Sequence, residues 1–365
     1  MPRAPRTFDP DAASAPESGV FGLPFTPQQS RVLIIPVPFE ATTSYGGGAS
    51  RAPEAVLAAS RQIDLFDYET GRPYEDGIAM LPIPRKIVAW NREAKRLAQG
   101  VIRAGGAIEG RSRLGRALTR VNAIGAEVNA WVRRETDRAL DAGKIAIVLG
   151  GDHSVPFGAI EAYAARHPGL GILHVDAHAD LREAFEGFTW SHASIFYNVA
   201  TRIPKIGRLV QVGVRDLGDR EMALIARSRR RIVLYHDAEI ARCQARGWTW
   251  EKLTREIVAH LPKHVYVSFD IDGLDPALCP HTGTPVPGGL SFSQATSLLA
   301  AVVRSGRTIV GGDLSEVSPG PPGDEWDANV GARLLYKLIG FAVLSPSPLQ
   351  TVDSIDKPLR RKRRP

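Results

Sequence analysis

Short apolar runs alternate with amphipathic segments along most of the chain. Seven of these runs stay apolar from end to end, which is typical of strands buried on both faces of a parallel sheet. One-sided antiparallel strands would instead alternate apolar and polar residues. The predicted strands are residues 31–37, 145–150, 171–176, 208–214, 231–236, 264–270 and 308–314.

Segments with apolar residues at spacings of three and four lie between the runs and predict amphipathic helices. Residues 121–143 form one, and residues 291–306 form a second that opens with Ser291 as its cap and closes on a glycine. Residues 327–343 form a third. Because strands and helices alternate, the sequence predicts a doubly wound α/β domain with a parallel sheet.

This single domain is expected to occupy residues 31–345, with no internal linker or repeat. Residues 1–30 are rich in Pro, Ala and Ser and lack periodicity, so we expect a mobile N-terminal arm or a surface wrap. Residues 346–365 are expected to form a basic C-terminal tail. Residues 84–120 add basic, glycine-containing sequence to which the pattern assigns no role.

The composition is that of a globular protein and excludes several other classes. The 365 residues are 44% hydrophobic, and no apolar run reaches the length of about 18 residues that spans a bilayer. The N-terminus lacks the apolar core of a secretory signal. Two cysteines, Cys243 and Cys279, are too few for a disulfide framework. We therefore expect a cytoplasmic protein with no membrane partner.

A net charge of +7 raises the question of nucleic-acid binding. Part of this excess lies in the terminal run KPLRRKRRP, residues 357–365. We favour a solvated tail over a nucleic-acid interface, because no stacking aromatic residues interleave with the basic ones. The sequence also contains no nucleic-acid-binding motif elsewhere, so a nucleic-acid partner is not expected.

Polar side chains follow four of the predicted strands, at the edge where doubly wound sheets bind ligands. Residues two apart in an extended segment lie on the same face, so the members of the second and third groups below can approach one ligand together. In chain order the residues are Asp152 and His153; Asp176, His178 and Asp180; Asp270 and Asp272; and Glu316.

The carboxylates of this set would repel one another, and burying each without compensation would cost roughly several kcal/mol. Protonation is one remedy and a bound cation is the other. The four carboxylates of the Asp-x-His-x-Asp and Asp-x-Asp groups, with the imidazoles of His153 and His178, are too many ligands for one metal. They match two metals that share bridging carboxylates. The oxygen-rich set favours two Mn²⁺ per subunit over Zn²⁺, with Ni²⁺ or Co²⁺ as alternatives. Two such metals would activate a bridging water as a nucleophile.

A loop or cap role would explain one such pair of residues on its own. It does not explain three motifs that each end a separate buried strand. The motifs resemble the three metal-binding signatures of the ureohydrolase family, which comprises arginases, agmatinases and their relatives. They read LGGDHS (149–154), HVDAHAD (174–180) and SFDIDGLDP (268–276).

Other segments extend the resemblance to about residues 31–340. TGTPVPGGLS (282–291) resembles the agmatinase form of the family, residues 42–62 resemble its N-terminal segment, and GGDLSEVSP (311–319) resembles its final strand and glutamate. The resemblance implies a three-layer α/β/α sandwich around a parallel sheet of eight strands. By analogy it also implies a homo-oligomer, either a trimer or a hexamer.

The resemblance implies a role for each site residue. Asp176 and Asp270 would bridge the metals, and Asp180 would also accept a hydrogen bond from the bridging hydroxide. Glu316 would pair with the guanidinium of a small cationic substrate, and His192 would shuttle protons or contact that substrate. One metal would be held by His153, Asp176, Asp180 and Asp270, and the other by Asp176, His178, Asp270 and Asp272.

These implied roles are chemically consistent with hydrolysis of a guanidino group to urea and an amine. A carboxylate can hold the planar guanidinium in a bidentate pair and orient its carbon for attack. The leaving amine needs a proton, which His192 or Asp180 could supply or relay.

The loop that follows Asp180, residues 181–194, is expected to select the substrate. It lacks the Ser- and Asn-rich stretch with which arginases bind an amino-acid substrate, and it carries charged and aromatic residues instead: Arg182, Glu183, Phe185, Glu186, Phe188 and Trp190. An acidic, aromatic-lined loop suits a cationic or apolar tail. We therefore predict agmatine as the substrate, with putrescine and urea as products.

Several alternatives stay open. Within the family they are guanidinobutyrase, guanidine hydrolase, formimidoylglutamase and arginase activities, or a catalytically silent regulatory member. Two positions depart from the family pattern. His281 stands where a glycine is common, and Pro156 stands where a small residue is usual and is predicted to start the next helix.

Overall fold

The computed structural model describes residues 8–43 and 45–345. The predicted basic tail, residues 346–365, and the first seven residues of the predicted arm lie outside this range. Within the described residues, eight strands form one sheet. They are β1 (Val32–Val37), β2 (Ile78–Met80), β3 (Ile145–Gly150), β4 (Leu170–Val175), β5 (Ile206–Val212), β6 (Ile232–Tyr235), β7 (His264–Asp270) and β8 (Thr308–Ser315).

Ten α-helices connect and flank the strands in the same described ranges. None of these helices has both the length and the apolar character needed to cross a membrane. The helices are α1 (Ala52–Ser60), α2 (Arg85–Arg103), α3 (Ser112–Asp141), α4 (Phe157–Arg166), α5 (Ile195–Arg202), α6 (Asp219–Arg227), α7 (Asp237–Ala245), α8 (Trp250–Ala259), α9 (Phe292–Arg304) and α10 (Trp326–Leu344).

The sheet order is β2-β1-β3-β8-β7-β4-β5-β6, and every neighbouring pair is parallel. Alternate side chains of each strand point to opposite faces, as in β1, where Ile34 packs into one apolar cluster and Ile35 into the other. One cluster lies under α1 and α7–α10 and the other under α2–α5. The predicted three-layer α/β/α sandwich with an eight-stranded parallel sheet is therefore confirmed.

All seven predicted strands are present, each with bounds within two residues of the prediction. The helix predicted over 291–306 is α9, and Ser291 caps it by accepting a hydrogen bond from the Gln294 N–H. Strand β2 was not predicted, because three residues are too few for a period to appear. The helix predicted over 121–143 begins nine residues earlier as α3, because basic residues on its exposed side obscure the apolar spacing.

Residues 84–120, to which the sequence assigned no role, form α2 and the first part of α3. The buried face of α2 is narrow and includes Ile87, Trp90, Ala94 and Val101, which pack into the second apolar cluster. The segment is therefore an integral helical layer rather than a loop insertion.

Part of the predicted N-terminal arm is packed on the domain. Val20 and Phe21 are buried, the Phe21 ring lies 4.9 Å from that of Tyr336 in α10, and the Phe21 N–H donates to Ser60 Oγ. These two residues therefore pack on the domain, as the surface-wrap alternative expects. The sequence pattern could not distinguish the two alternatives, because a single short apolar cluster has no period.

Candidate functional site

Four neighbouring central strands deliver the predicted site residues to one edge of the sheet. Asp270 is the last residue of β7, Asp176 follows β4 directly, Glu316 follows β8 directly, and His153 lies three residues beyond β3. The order β3-β8-β7-β4 places these carboxyl ends side by side. The sheet therefore brings together residues that are up to 163 positions apart in sequence, such as His153 and Glu316.

The imidazole of His153 is the centre of the first group of ligand atoms. Its Nδ1 lies 3.0 Å from Asp176 Oδ2, 3.1 Å from Asp270 Oδ2 and 3.5 Å from Asp180 Oδ2. All four side chains are buried. One compact set of donor atoms within 4.8 Å of one another comprises His153, His174, Asp176 and Asp180.

The second group is built on His178. Its Nδ1 lies 3.0 Å from Asp272 Oδ2 and 3.4 Å from Asp176 Oδ1, so the two oxygens of Asp176 face different imidazoles. Asp176, His178 and Asp272 form the second compact donor set. Asp176 is thus shared between the two sets, which is the arrangement that a bridging ligand requires. Asp270 is in neither set, although it contacts His153.

The charges of this cluster indicate an excess of buried negative charge. Burial and then the charge of Asp176 raise the pKa of Asp180 well above its ordinary value, and burial and then Asp272 do the same for the pKa of Asp270. A divalent cation would relieve this repulsion. One donor set has two imidazoles and two carboxylates, and the other has one imidazole and two carboxylates. The two sets share Asp176 and fit two such cations, so the residues present suit a binuclear centre.

Two site residues adopt backbone conformations that are unusual for residues other than glycine. Asp180 has φ 54° and Glu316 has φ 63°, and each such position costs about 1–3 kcal/mol. Hydrogen bonds hold both segments. The Asp180 carbonyl accepts from Phe196 N–H, and Glu316 N–H donates to the Gly151 carbonyl. Both residues have predicted functional roles, although Phe21, Glu186, Arg229 and Arg230 adopt positive φ as well.

Glu221 supports the Asp180 loop and was missed by the sequence analysis. One of its carboxylate oxygens accepts from Leu181 N–H at 2.9 Å, and the other accepts from Gly218 N–H at 2.7 Å. Glu221 lies in α6, 40 residues from Leu181. No local pattern connects positions that far apart, so the sequence carried no signal for this contact.

The Glu316 carboxylate lies beside the cluster and is buried. Its Oε1 accepts a hydrogen bond from His153 N–H at 2.9 Å. Burial and then the charge of Asp270 raise its pKa well above the ordinary value. Glu316 Oε2 faces Gly283. Thr284, the next residue in the sequence, lines a cavity beside the cluster. Glu316 is not itself among the residues that line that cavity.

A cavity of about 190 Å³ opens in front of the cluster. Half-buried His192 lines it, and Nδ1 of this imidazole has no hydrogen-bond partner within residues 8–43 and 45–345. Burial and then the neighbouring His178 lower the pKa of His192 to about 4, so the ring is neutral near pH 7. The cavity is lined by His178, Asp180, Arg182, Phe185, His192, Ala193, Asp216, Glu221 and Thr284.

The prediction of an acidic, aromatic-lined loop at residues 181–194 is largely wrong. Phe185 lines the cavity and faces the His192 ring at 6.3 Å between centroids. Phe188, however, is buried in the apolar core. Trp190 packs in a groove of α3 at Gly125, where a Cβ would lie 2.6 Å from the Trp190 side chain. Apolar rings next to a helical groove bury themselves there rather than facing the polar cavity. Of the charged residues predicted for this segment, Arg182 lines the cavity, whereas Glu183 and Glu186 do not.

Further buried residues orient the predicted ligands. His174 packs on the Phe196 ring, and its Nε2 lies 2.7 Å from Asp176 Oδ2. His153 Nε2 lies 2.9 Å from Ser268 Oγ, which donates to Asp313 at 3.0 Å. Such outer contacts fix the orientation of ligand side chains.

The two departures from the family pattern lie outside the cluster. Pro156 directly precedes α4, as predicted. The His281 ring lies 2.9 Å from buried Asp327, and its backbone N–H donates to the other oxygen of the same carboxylate. His281 is therefore fixed to the start of α10 rather than to a metal ligand.

Comparisons with known proteins identify sequence relatives and a shared fold. The sequence model of the arginase family matches residues 30–340. The chain is 38% identical over 326 residues to an N(1)-aminopropylagmatine ureohydrolase of Thermus thermophilus, covering 88% of this chain and 94% of the relative. It is 34% identical over 190 residues to agmatinase of Bacillus anthracis, covering 52% and 60%. The solved structure of proclavaminate amidino hydrolase from Streptomyces clavuligerus aligns with a TM-score of 0.69 at 23% identity, over 92% of this chain and all of that one, and supports the fold.

Proposed function

The chain belongs to the arginase family, and from that premise we propose that it hydrolyses a cationic guanidino compound of the agmatine type and releases urea. The observation that carries the proposal is the buried cluster of six predicted ligands at the carboxyl ends of adjacent strands. Asp176 lies in both of its donor sets. A catalytically silent relative would have no physical reason to keep so many repelling buried carboxylates.

We assign the metals of this reaction to the six predicted ligands, with Mn²⁺ favoured by their oxygen-rich chemistry. When bound, two divalent metals supply an activated water as the nucleophile and positive charge that offsets the negative charge developing on the substrate. The ligands would be His153, Asp176, His178, Asp180, Asp270 and Asp272, and the family resemblance implies that Asp176 and Asp270 would be shared. Of these two, Asp176 is the one that lies in both compact donor sets.

The chain's own residues bind the substrate and move its protons. The Glu316 carboxylate pairs with the guanidinium and turns its carbon toward the cluster. Asp180 accepts a hydrogen bond from the attacking water. The neutral His192 ring carries one proton and one lone pair. Its Nδ1 has no hydrogen-bond partner among the residues that the structure describes, which makes the ring suited to relay a proton to the leaving nitrogen.

We favour N(1)-aminopropylagmatine as the substrate and keep agmatine, the compound predicted from the sequence, as the second candidate. The first choice rests on coverage, because the relative of that name aligns over 94% of its length, whereas the agmatinase aligns over 60%. Both compounds carry a cationic tail beyond the guanidinium. Asp216, an exposed carboxylate that lines the cavity, is placed to receive an amine of that tail.

A panel of guanidino compounds tests the proposal. Purified protein loaded with Mn²⁺ is assayed for urea with N(1)-aminopropylagmatine, agmatine, 4-guanidinobutanoate, guanidine and arginine, and for formamide with formimidoylglutamate. We expect the highest kcat/KM for N(1)-aminopropylagmatine. Protein that carries both metals and releases no urea from N(1)-aminopropylagmatine or agmatine would contradict the proposal. Formamide from formimidoylglutamate would point to that other activity of the family instead. Less than one metal per chain after loading would instead favour a silent family member.

We also propose that the protein is a cytoplasmic homo-oligomer, as expected from the sequence. Light scattering coupled to gel filtration measures the mass of the assembly. A trimer or hexamer of the 39.6 kDa chain is the expected result, and a monomer would contradict it.

A further inference from the structure

We propose that Lys95, on α2, is a positioning residue for substrate binding. Through the buried carboxylate of Glu40, it holds the glycine loop, residues 46–48, against the two segments that flank Glu316. This inference rests on the proposed role of Glu316 in binding the guanidinium. It gives α2 a role at the site in addition to its packing on the sheet.

Glu40 is the centre of this arrangement. Its side chain is 1% exposed, and its carboxylate accepts hydrogen bonds from Gly48 N–H and Ser50 N–H at 3.0 Å. Lys95 Nζ donates to the same carboxylate at 2.8 Å. Asn91, one turn earlier on α2, accepts from the backbone N–H of Glu40 at 2.8 Å. Two side chains of α2 therefore fix the residue that binds the loop.

The glycine loop lies in backbone contact with its surroundings. A Cβ on Gly47 would lie 2.7 Å from the Glu40 carboxylate, and one on Gly46 would overlap the Gly283 backbone. A Cβ on Gly48 would overlap the Ser318 hydroxyl. All three glycines have positive φ, which other residues rarely adopt. The loop is therefore wedged between Glu40 on one side and residues 283 and 318 on the other.

Both of those residues belong to segments that hold Glu316. Ser318, two positions after Glu316, donates to the Gly47 carbonyl at 2.9 Å. Thr282, next to Gly283, donates to the Glu316 carbonyl at 2.9 Å. A Cβ on Gly283 would lie 3.7 Å from Glu316 Oε2. A shift of the glycine loop would thus move the carboxylate that is proposed to bind the guanidinium.

The ion pair matters because one partner is buried and the other is not. Exposed salt bridges contribute little, but removing one partner of a buried charge leaves that charge uncompensated. The Lys95 side chain is 46% exposed, so replacing it leaves no large cavity in the core. Loss of Lys95 is therefore expected to loosen the loop without unfolding the domain.

The experiment compares Lys95→Met with Lys95→Arg and with Lys86→Met, a matched lysine of α2 that stacks on Trp90 at 4.4 Å. Hydrogen exchange measured by mass spectrometry reports on the amides of Gly48 and Ser50. Steady-state urea release with N(1)-aminopropylagmatine and with agmatine, in the presence of Mn²⁺, reports on KM and kcat. For Lys95→Met we expect exchange at these amides and KM each to rise at least about tenfold, with kcat within about threefold of the parent. Lys95→Arg should restore both values, and Lys86→Met should change neither.

Unchanged KM in Lys95→Met, with faster exchange or without it, would overturn the inference while leaving the proposed function intact. An equal loss of activity in Lys86→Met would also overturn it, because the effect would then belong to the helix as a whole. If the parent protein releases no urea from either compound, the proposed function fails. The positioning role then fails with it, whatever the exchange data show. Glu40→Gln serves as a second variant and is expected to reproduce the rise in KM.

Discussion

Removing divalent metal from the protein is expected to lower its melting temperature by several degrees. The reason lies in the cluster around His153, where three buried carboxylates lie within 3.5 Å of one nitrogen. A ligand at one hundred times its Kd stabilises the folded state by about 2.7 kcal/mol per site, so two sites contribute about 5 kcal/mol. For a chain of 365 residues, with an unfolding entropy of about 2.1 cal/mol/K per residue, this corresponds to about 7 °C.

Differential scanning fluorimetry of chelator-treated, dialysed protein, with and without added Mn²⁺, measures this shift. The matched control is the double variant Asp176→Asn/Asp270→Asn, which removes the predicted bridging ligands and should show little response to Mn²⁺. Glu316→Gln, which leaves all six predicted ligands in place, should respond as the parent does. A parent shift no larger than that of the double variant would refute the reasoning, because the cluster would then not be the site at which the metal binds.

Three further predictions concern single side chains. Glu316→Gln should lower kcat/KM by about 30-fold or more, because a buried charge pair with the guanidinium contributes about 2–5 kcal/mol, while the metal content measured by mass spectrometry stays at the parent level. His192→Ala should lower kcat by about 10²–10⁴-fold if the ring relays a proton, and an unchanged kcat would exclude that role. Asp67→Asn tests the ion pair with Lys337 at 2.8 Å. Burial raises the pKa of Asp67, but the hydrogen bonds from Lys337 and Thr70 and the charge of Lys337 together outweigh it and hold that pKa below its ordinary value of 3.8. The pair therefore stabilises the fold above pH 3.8 and ceases to do so as the pH falls. The variant should be less stable by about 1–3 kcal/mol at pH 7 in urea titrations, and a difference that does not shrink at acid pH would contradict the assignment.

The features that could be predicted from the sequence are those whose signal is local. A strand buried on both faces is a continuous apolar run, so β3, β4 and β7 were predicted almost to the residue. The side chains of residues two apart share a face, so Asp176, His178 and Asp180 could be grouped before any fold was known. The parallel arrangement then placed the groups at one edge of the sheet.

The features that could not be predicted depend on contacts between distant segments. Glu40 and Lys95 are 55 positions apart, and nothing in either local sequence indicates their pairing. The direction of an aromatic ring in a loop depends on which groove lies nearby. Trp190 packs in the groove at Gly125 of α3 and does not line the cavity. For the same reason, the sequence could indicate that residues 181–194 border the site but not which of them line the cavity.

The central claim is that the buried cluster binds two metals and that the loaded protein hydrolyses a guanidino compound. Its most direct test is urea release from N(1)-aminopropylagmatine and agmatine by protein with a measured metal content. We expect urea and the amine product in equal amounts, only from parent protein carrying two metals per chain, with activity lost in Asp176→Asn/Asp270→Asn. Parent protein that carries two metals per chain and releases no urea from either compound, or equal urea release from the double variant, would contradict the claim.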